Sequence, residues 1–267
     1  MKKIATIFIV SMLLLLASFS FSTAMNENKT IYVDDDGTAD YTSIQDAVDV
    51  AVDGDTVFVY SGMYYEHVII DAKSITLQGE NKETTIIDAE ETDSALLIHD
   101  AEDVTVSEFT FQNSGDGYNE CGVYVHESDN CLIEESIMQK CSYGITVFVS
   151  SNIVVTNNIM RENKDGVKLS DTTNVEVTRN LIENNQFNGI YVNYCKSGSI
   201  TENNFINNKR HFRFYGIYFV DIDANYWQRI VQLGIKPIYG YLFLLVPIPG
   251  YVFDWNPASE PYGIGEE

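Results

Sequence analysis

The 267-residue chain has little cysteine, little proline and few basic residues. Four cysteines are too few for a fold stapled by disulfides. Five prolines in a chain that is 45% hydrophobic argue against a disordered, proline-rich polymer. Sixteen Lys and Arg stand against 39 Asp and Glu, a formal charge of −23. Such a chain repels nucleic acid and anionic membranes, so nucleic acid is not an expected partner. Long apolar runs are also scarce. Residues 4–21 form one, preceded by Lys2 and Lys3 and closed by Ser22, Thr23 and Ala24, the pattern of a signal peptide over residues 1–24. An uncleaved anchor is the alternative, because an almost wholly apolar stretch of 18 residues approaches the spanning minimum. Cleavage near Ala24 leaves 14 basic against 39 acidic residues, a charge of −25. The second run, residues 241–253, carries Pro247, Pro249 and Gly250 and is too short and broken to span a bilayer. No stable membrane span is expected after cleavage, and the chain reads as secreted or held at the cell surface.

What the chain does have is a repeat. Gly122, Gly144, Gly166, Gly189 and Gly216 each open a Gly-apolar-x-apolar segment, at intervals of 22, 22, 23 and 27 residues. Ala95 opens a similar segment 27 residues before Gly122. The alternation has the two-residue period of a strand. A second apolar pair follows at the ninth and eleventh positions, as in Ile153 and Val155 or Val175 and Val177. A third group reads Asn158-Met160-Asn163, Asn180-Ile182-Asn185 and Asn203-Phe205-Asn208. Three short strands per turn of about 22 residues predict an all-β, single-stranded parallel β-helix. The fixed asparagines suit inward bends whose amides bond to the coils above and below.

Residues 42–52 read as an amphipathic capping helix, with Thr42 or Ser43 as cap and Ile44, Ala47, Val48 and Ala51 on one face. Coils are expected to stop near Tyr226. The aromatic remainder, including Trp227 and Trp255, is expected to plug the end, with a membrane or partner contact as its rival use. The domain reading is therefore a signal peptide over residues 1–24, an N-terminal cap with first strands over 25–66, coils over 67–226 and a C-terminal cap over 227–267.

With these features in place, residues 31–70 (IYVDDDGTADYTSIQDAVDVAVDGDTVFVYSGMYYEHVII) resemble the N-terminal cap of secreted pectin-lyase-like proteins. The Asn-rich coils are similar to the repeats of the carbohydrate-binding and sugar-hydrolysis β-helix family, a grouping that includes NosD-type periplasmic copper-associated proteins. The NYW at residues 225–227 and the DWNPASEPY at 254–262 look like endings of extracytoplasmic relatives. This resemblance implies a right-handed helix, a handedness that also follows from the rule for parallel crossovers. It does not imply one activity, because lyases, glycosidases, binding proteins and structural spikes share the fold.

Outward positions define a candidate ligand strip: Tyr124, Thr146, Lys168, Tyr191 and Tyr218 two residues after each glycine, with His126, Phe148, Ser170, Asn193 and Val220 at the fourth. Aromatic faces beside hydroxyl, amide and basic groups suit sugar rings, so a polysaccharide or surface glycan is the candidate partner. From this strip, Tyr124, His126, Phe148, Lys168, Tyr191, Asn193 and Tyr218 are the candidate ligand-binding residues. A polysaccharide-active lyase or glycoside hydrolase is the alternative. The strip holds no acidic residue, whereas a glycosidase needs two, and no catalytic constellation is readable. The basic run NKRHFRF, ending at Phe214, is expected to be a loop. Asp34, Asp36 and Asp40 around Gly37 look like part of a calcium loop, but a turn feeding the helix explains them better. No cofactor is expected apart from calcium at that turn. Copper is not expected, because Met138 and Met160 share a slot with Ile182 and Phe205 and read as core. The four cysteines are expected to be free and buried, with Cys121 and Cys141 the nearest approach to a pair. The sequence assigns no ligand identity or oligomeric state.

Overall fold

The computed structural model describes residues 28–117, 119–228, 234–243 and 247–265. The signal peptide expected over residues 1–24 lies outside the described residues.

The chain winds as a parallel β-helix with three faces. One face runs from Thr30–Val33 through Thr56–Val59, Thr76–Gly79, Thr105–Ser107 and Leu132–Glu134 to Ser151–Thr156. A second runs from Val68–Asp71 through Leu96–His99, Cys121–His126 and Tyr143–Phe148. Both continue into the long strands Asp165–Thr178, Asn188–Thr201 and Arg210–Asp223, which bend from one face to the other. The third face stacks seven short strands from Gly62–Tyr64 to Asn204–Ile206. The expected register holds through the central coils. Val123, Ile145, Val167 and Ile190 stack, as do Ile133, Val155, Val177 and Ile200, and Met138, Met160, Ile182 and Phe205. All of these are buried.

The repeated glycine has a steric cause. A Cβ added at Gly122, Gly144, Gly166 or Gly189 would meet a carbonyl oxygen of the next coil at 2.5–2.7 Å. In the fifth coil that slot holds His211, because Ile190 pairs with Phe212. Gly216 therefore belongs to a different slot. It lies five residues on, opposite Tyr194, where both residues have left-handed φ, +69° and +61°. NKRHFRF is accordingly strand over residues 210–214, correcting the loop expected from the 27-residue interval.

Two asparagine ladders tie the bends together. Asn158 N donates to Asn180 Oδ1 (2.9 Å), Asn180 N to Asn203 Oδ1 (3.0 Å) and Asn203 N to Asn225 Oδ1 (3.0 Å). The second ladder links Cys141 N, Asn163, Asn185 and Asn208 at 2.9–3.1 Å. The first ends on Asp254, whose Oδ2 accepts from Asn225 N (3.0 Å) and Trp227 Nε1 (2.8 Å). Trp227 is buried and stacks on Phe205 at 4.5 Å, so it closes the last coil.

At the front, a helix over Ile44–Val50 buries Ile44, Ala47 and Val48. Ser43 caps it, its side chain accepting from Asp46 N. At the back, an antiparallel hairpin, Lys236–Phe243 with Pro247–Asp254, joins the sheet through Tyr215 and Tyr241. Trp255 is 65% exposed, so it is not part of the plug expected from the sequence. All four cysteines are free and buried.

Candidate functional site

Strand register decides which outward side chains become neighbours. Tyr124, Thr146, Lys168 and Tyr191 do form one column, but the next member is Arg213. Tyr218 pairs with Lys196 on the adjoining face, which corrects its expected place in the strip. The neighbouring column reads Asp71, His99, His126, Phe148, Ser170, Asn193 and Tyr215. Arg213, Tyr215 and His99 were missed by following the glycines.

Most of the front of the expected strip is not presented to solvent. Tyr124 is 7% exposed and stacks on His126 at 5.5 Å. His126 is half-buried between the Tyr124 ring and Phe148 at 5.3 Å. Lys168 is buried, its ammonium 4.4 Å from the centre of the Tyr143 ring.

The accessible part lies further along. A groove of about 320 Å³ is lined by Asp165, Asn188, Tyr191, Asn193, Arg213 and Tyr215. Tyr191 meets Tyr215 edge-on at 6.1 Å, and Tyr215 stacks on Tyr241 at 4.8 Å. The Arg213 guanidinium donates to the Tyr215 hydroxyl. Asp165 Oδ1 accepts from Asn188 N (2.7 Å) and Nδ2 (2.9 Å). Burial raises the Asp165 carboxyl above its ordinary range, against the pull of the Asn188 bonds, Lys168 and Arg213. Asn188 Oδ1 is buried and accepts no hydrogen bond from the described residues. Buried acceptors are rarely left so, and each costs roughly 1–3 kcal/mol unless a donor arrives. The groove thus combines tyrosine ring faces, a cation, amide side chains and a carboxylate. Arg213 also lines an adjoining pocket of about 350 Å³, with Arg210, Lys236, Trp227, Tyr239 and Tyr241.

The Asp34–Asp40 turn is held by its own side chains. Asp40 Oδ2 accepts from Tyr32 N (3.0 Å), Asp34 Oδ2 from Thr38 Oγ1 (2.8 Å) and Asp36 Oδ1 from Thr38 N (3.1 Å). These bonds build the turn that the sequence suggested. Among the described residues, the three-ligand cluster that could hold a metal is elsewhere, at His99, His126 and Glu127.

The fold defines a right-handed parallel β-helix protein of the pectin-lyase-like class. It is similar to an alginate lyase from Paenibacillus sp. str. FPU-7, with TM-score 0.56, 10% identity, and coverage of 76% of this chain and 83% of that one. It is also similar to Escherichia coli ybhc, with TM-score 0.51, 15% identity and coverage of 73% and 72%. A pectin methylesterase from carrot aligns at TM-score 0.49 and 14% identity over 74% and 73%. No curated protein matches the sequence significantly. The chain belongs to the family described as periplasmic copper-binding protein (NosD), whose model matches residues 48–231.

That description names copper, so donor chemistry bears on it. Met138, Met160 and the four cysteines are buried and present no soft surface donor. Two imidazoles and a carboxylate at His99, His126 and Glu127 do suit a divalent first-row ion. Met138, Met160 and the cysteines give copper no site on this surface, whereas this histidine pair offers imidazole donors.

Proposed function

We propose that this protein works outside the cytoplasmic membrane as a binding protein that holds oligosaccharide in the groove between Asn188 and Tyr215. The family's periplasmic description supports the location. No helix among the described residues is long and apolar enough to cross a membrane. The observation that carries the ligand class is the pair of half-buried Tyr191 and Tyr215 rings lining one groove with Arg213 and Asn193. Apolar faces of sugar rings pack on tyrosine. Arg213 and Asn193 supply donors for ring and hydroxyl oxygens, and the cations of the adjoining pocket admit acidic units. Because Arg213 lines both cavities, a longer chain can engage both. The groove offers one carboxylate, Asp165, where glycoside hydrolysis needs two.

The test is a glycan array with neutral and acidic saccharides, followed by titration of the mature chain with oligomers of increasing length. Affinity is expected to rise with length. Tyr191→Ala and Arg213→Ala should each weaken the longest ligand at least tenfold with little change in melting temperature. Equal affinity in wild type and both variants would remove the groove from the account. Release of unsaturated, ultraviolet-absorbing ends, abolished in Lys168→Ala, would replace the binding reading with a lyase.

A further inference from the structure

His99 and His126 occupy the same slot of adjacent coils, so their rings lie 5.2 Å apart. The chain then turns a corner at Glu127, whose φ of +50° is left-handed. That corner brings the Glu127 carboxylate back to the histidines. Its Oε2 lies 3.6 Å from His99 Nε2 and its Oε1 lies 3.8 Å from His126 Nε2. One ligand atom from each of the three residues lies within 4.8 Å of the others. From the preceding coil, Asp71 Oδ1 sits 2.7 Å from His99 Nδ1. With the proton on Nδ1, that hydrogen bond fixes the tautomer and leaves Nε2, the atom facing Glu127, with its lone pair available.

We infer that His99, His126 and Glu127 form a surface site for a divalent copper or zinc ion, with Asp71 as the outer carboxylate that orients His99. Three protein donors leave a coordination position for water or an exchanging ligand. Two imidazoles and one carboxylate favour Cu2+ over Zn2+ by the Irving–Williams order, and they do not suit Ca2+, which takes six to eight oxygens. The flanking rings of Tyr124 and Phe148 hold His126 in place. Glu127 is 54% exposed and His99 37%, so the ion is accessible from solvent and exchangeable. His67 is no competitor. Its ring nitrogens contact Ser94 O and Thr92 Oγ1, both at 2.9 Å. The site is independent of the groove, and its failure would leave the oligosaccharide reading intact.

The experiment titrates the full mature chain with Cu2+, followed by electron paramagnetic resonance and competition calorimetry, and repeats it with Zn2+ and Ca2+. One equivalent of Cu2+ with two nitrogen donors is expected, displaceable by excess Zn2+ and unaffected by Ca2+. His99→Ala and His126→Ala should each lower Cu2+ affinity at least 100-fold, and Asp71→Asn roughly 10-fold or more. Metal should raise the melting temperature of wild type and leave the His99→Ala/His126→Ala double variant unchanged. Metal-free melting temperatures of all variants should match wild type, since the substituted side chains are partly exposed. If a histidine variant fails to fold, Glu127→Gln tests the site instead, with a weakened Cu2+ complex expected. Unchanged Cu2+ affinity and spectrum in the double variant, or in Glu127→Gln, would overturn the assignment.

Discussion

Replacing Asn180 by alanine cuts the ladder in the middle. Asn180 is fully buried. Its Oδ1 accepts from Asn158 N at 2.9 Å, and its Nδ2 donates to Val155 O, Thr178 O and Asn203 Oδ1 at 2.9–3.0 Å. Alanine strands the Asn158 amide with no water in reach, a loss of about 1–3 kcal/mol. Two backbone carbonyls each lose a bond, worth about 1 kcal/mol apiece. The sum is about 3–5 kcal/mol, or roughly 6–20 °C in melting temperature for a domain of this size. Asn180→Asp should cost at least as much, because a carboxylate would face three acceptor oxygens. Thermal melts by circular dichroism and by tryptophan emission make the assay. Trp227 is buried at the C-terminal end of the same ladder, so its emission reports whether the coils beyond the cut unzip separately, as stacked repeats can. A shift under 3 °C for Asn180→Ala by both probes would refute the claim that the ladder carries stability.

Two further predictions follow from burial. Val177 is fully buried and Glu176 exposed, so Val177→Asp should cost several kcal/mol while Glu176→Lys stays within ~0.5 kcal/mol. Similar chemical-denaturation midpoints for the two variants would contradict the register. Burial pushes the Cys121 thiol up to about 12 and those of Cys131 and Cys141 to about 11, and raises Cys195 as well. Ellman's reagent at pH 8 should therefore label none of the four in the native protein and all four in guanidinium. A thiol that reacts at once in the folded state would break this account.

The coils were legible because an inward residue on every second position and an asparagine at two of the bends are stacking constraints, and stacking repeats them. Val177, Met160 and Asn180 stand where their spacing puts them. The strip failed where one token stood for a slot it did not occupy. Gly216 carries the right motif, but it serves a left-handed corner opposite Tyr194, and the close-approach slot is filled by His211. Arg213 was hidden by that slip. His99 was within reach, since Ala95 shares the slot of Gly122 and the fourth position after each is histidine. Glu127 was not, because its carboxylate reaches the histidines only through a positive φ that no alternation pattern announces. Trp255 shows the opposite limit, since an aromatic residue near a terminus does not reveal whether it packs or faces water.

Net charge bears differently on the two sites. A formal charge of −23 opposes the approach of any polyanion over long distances. At physiological salt that field decays within about 8 Å, so recognition inside the groove depends on the groups that line it. Arg213 lines the groove, and Arg210 and Lys236 join it in the adjoining pocket, against the overall sign of the chain. The proposed metal site lies further back along the column that holds Asn193, where the Asp71 and Glu127 carboxylates flank the two histidines. Three coil steps, about 14 Å, separate His126 from Asn193 along that column. This spacing exceeds the screening length, so charge at one site is largely hidden from the other. The register of each coil therefore sets the chemistry at each step of this face, with carboxylate and imidazole at one end and arginine and tyrosine at the other.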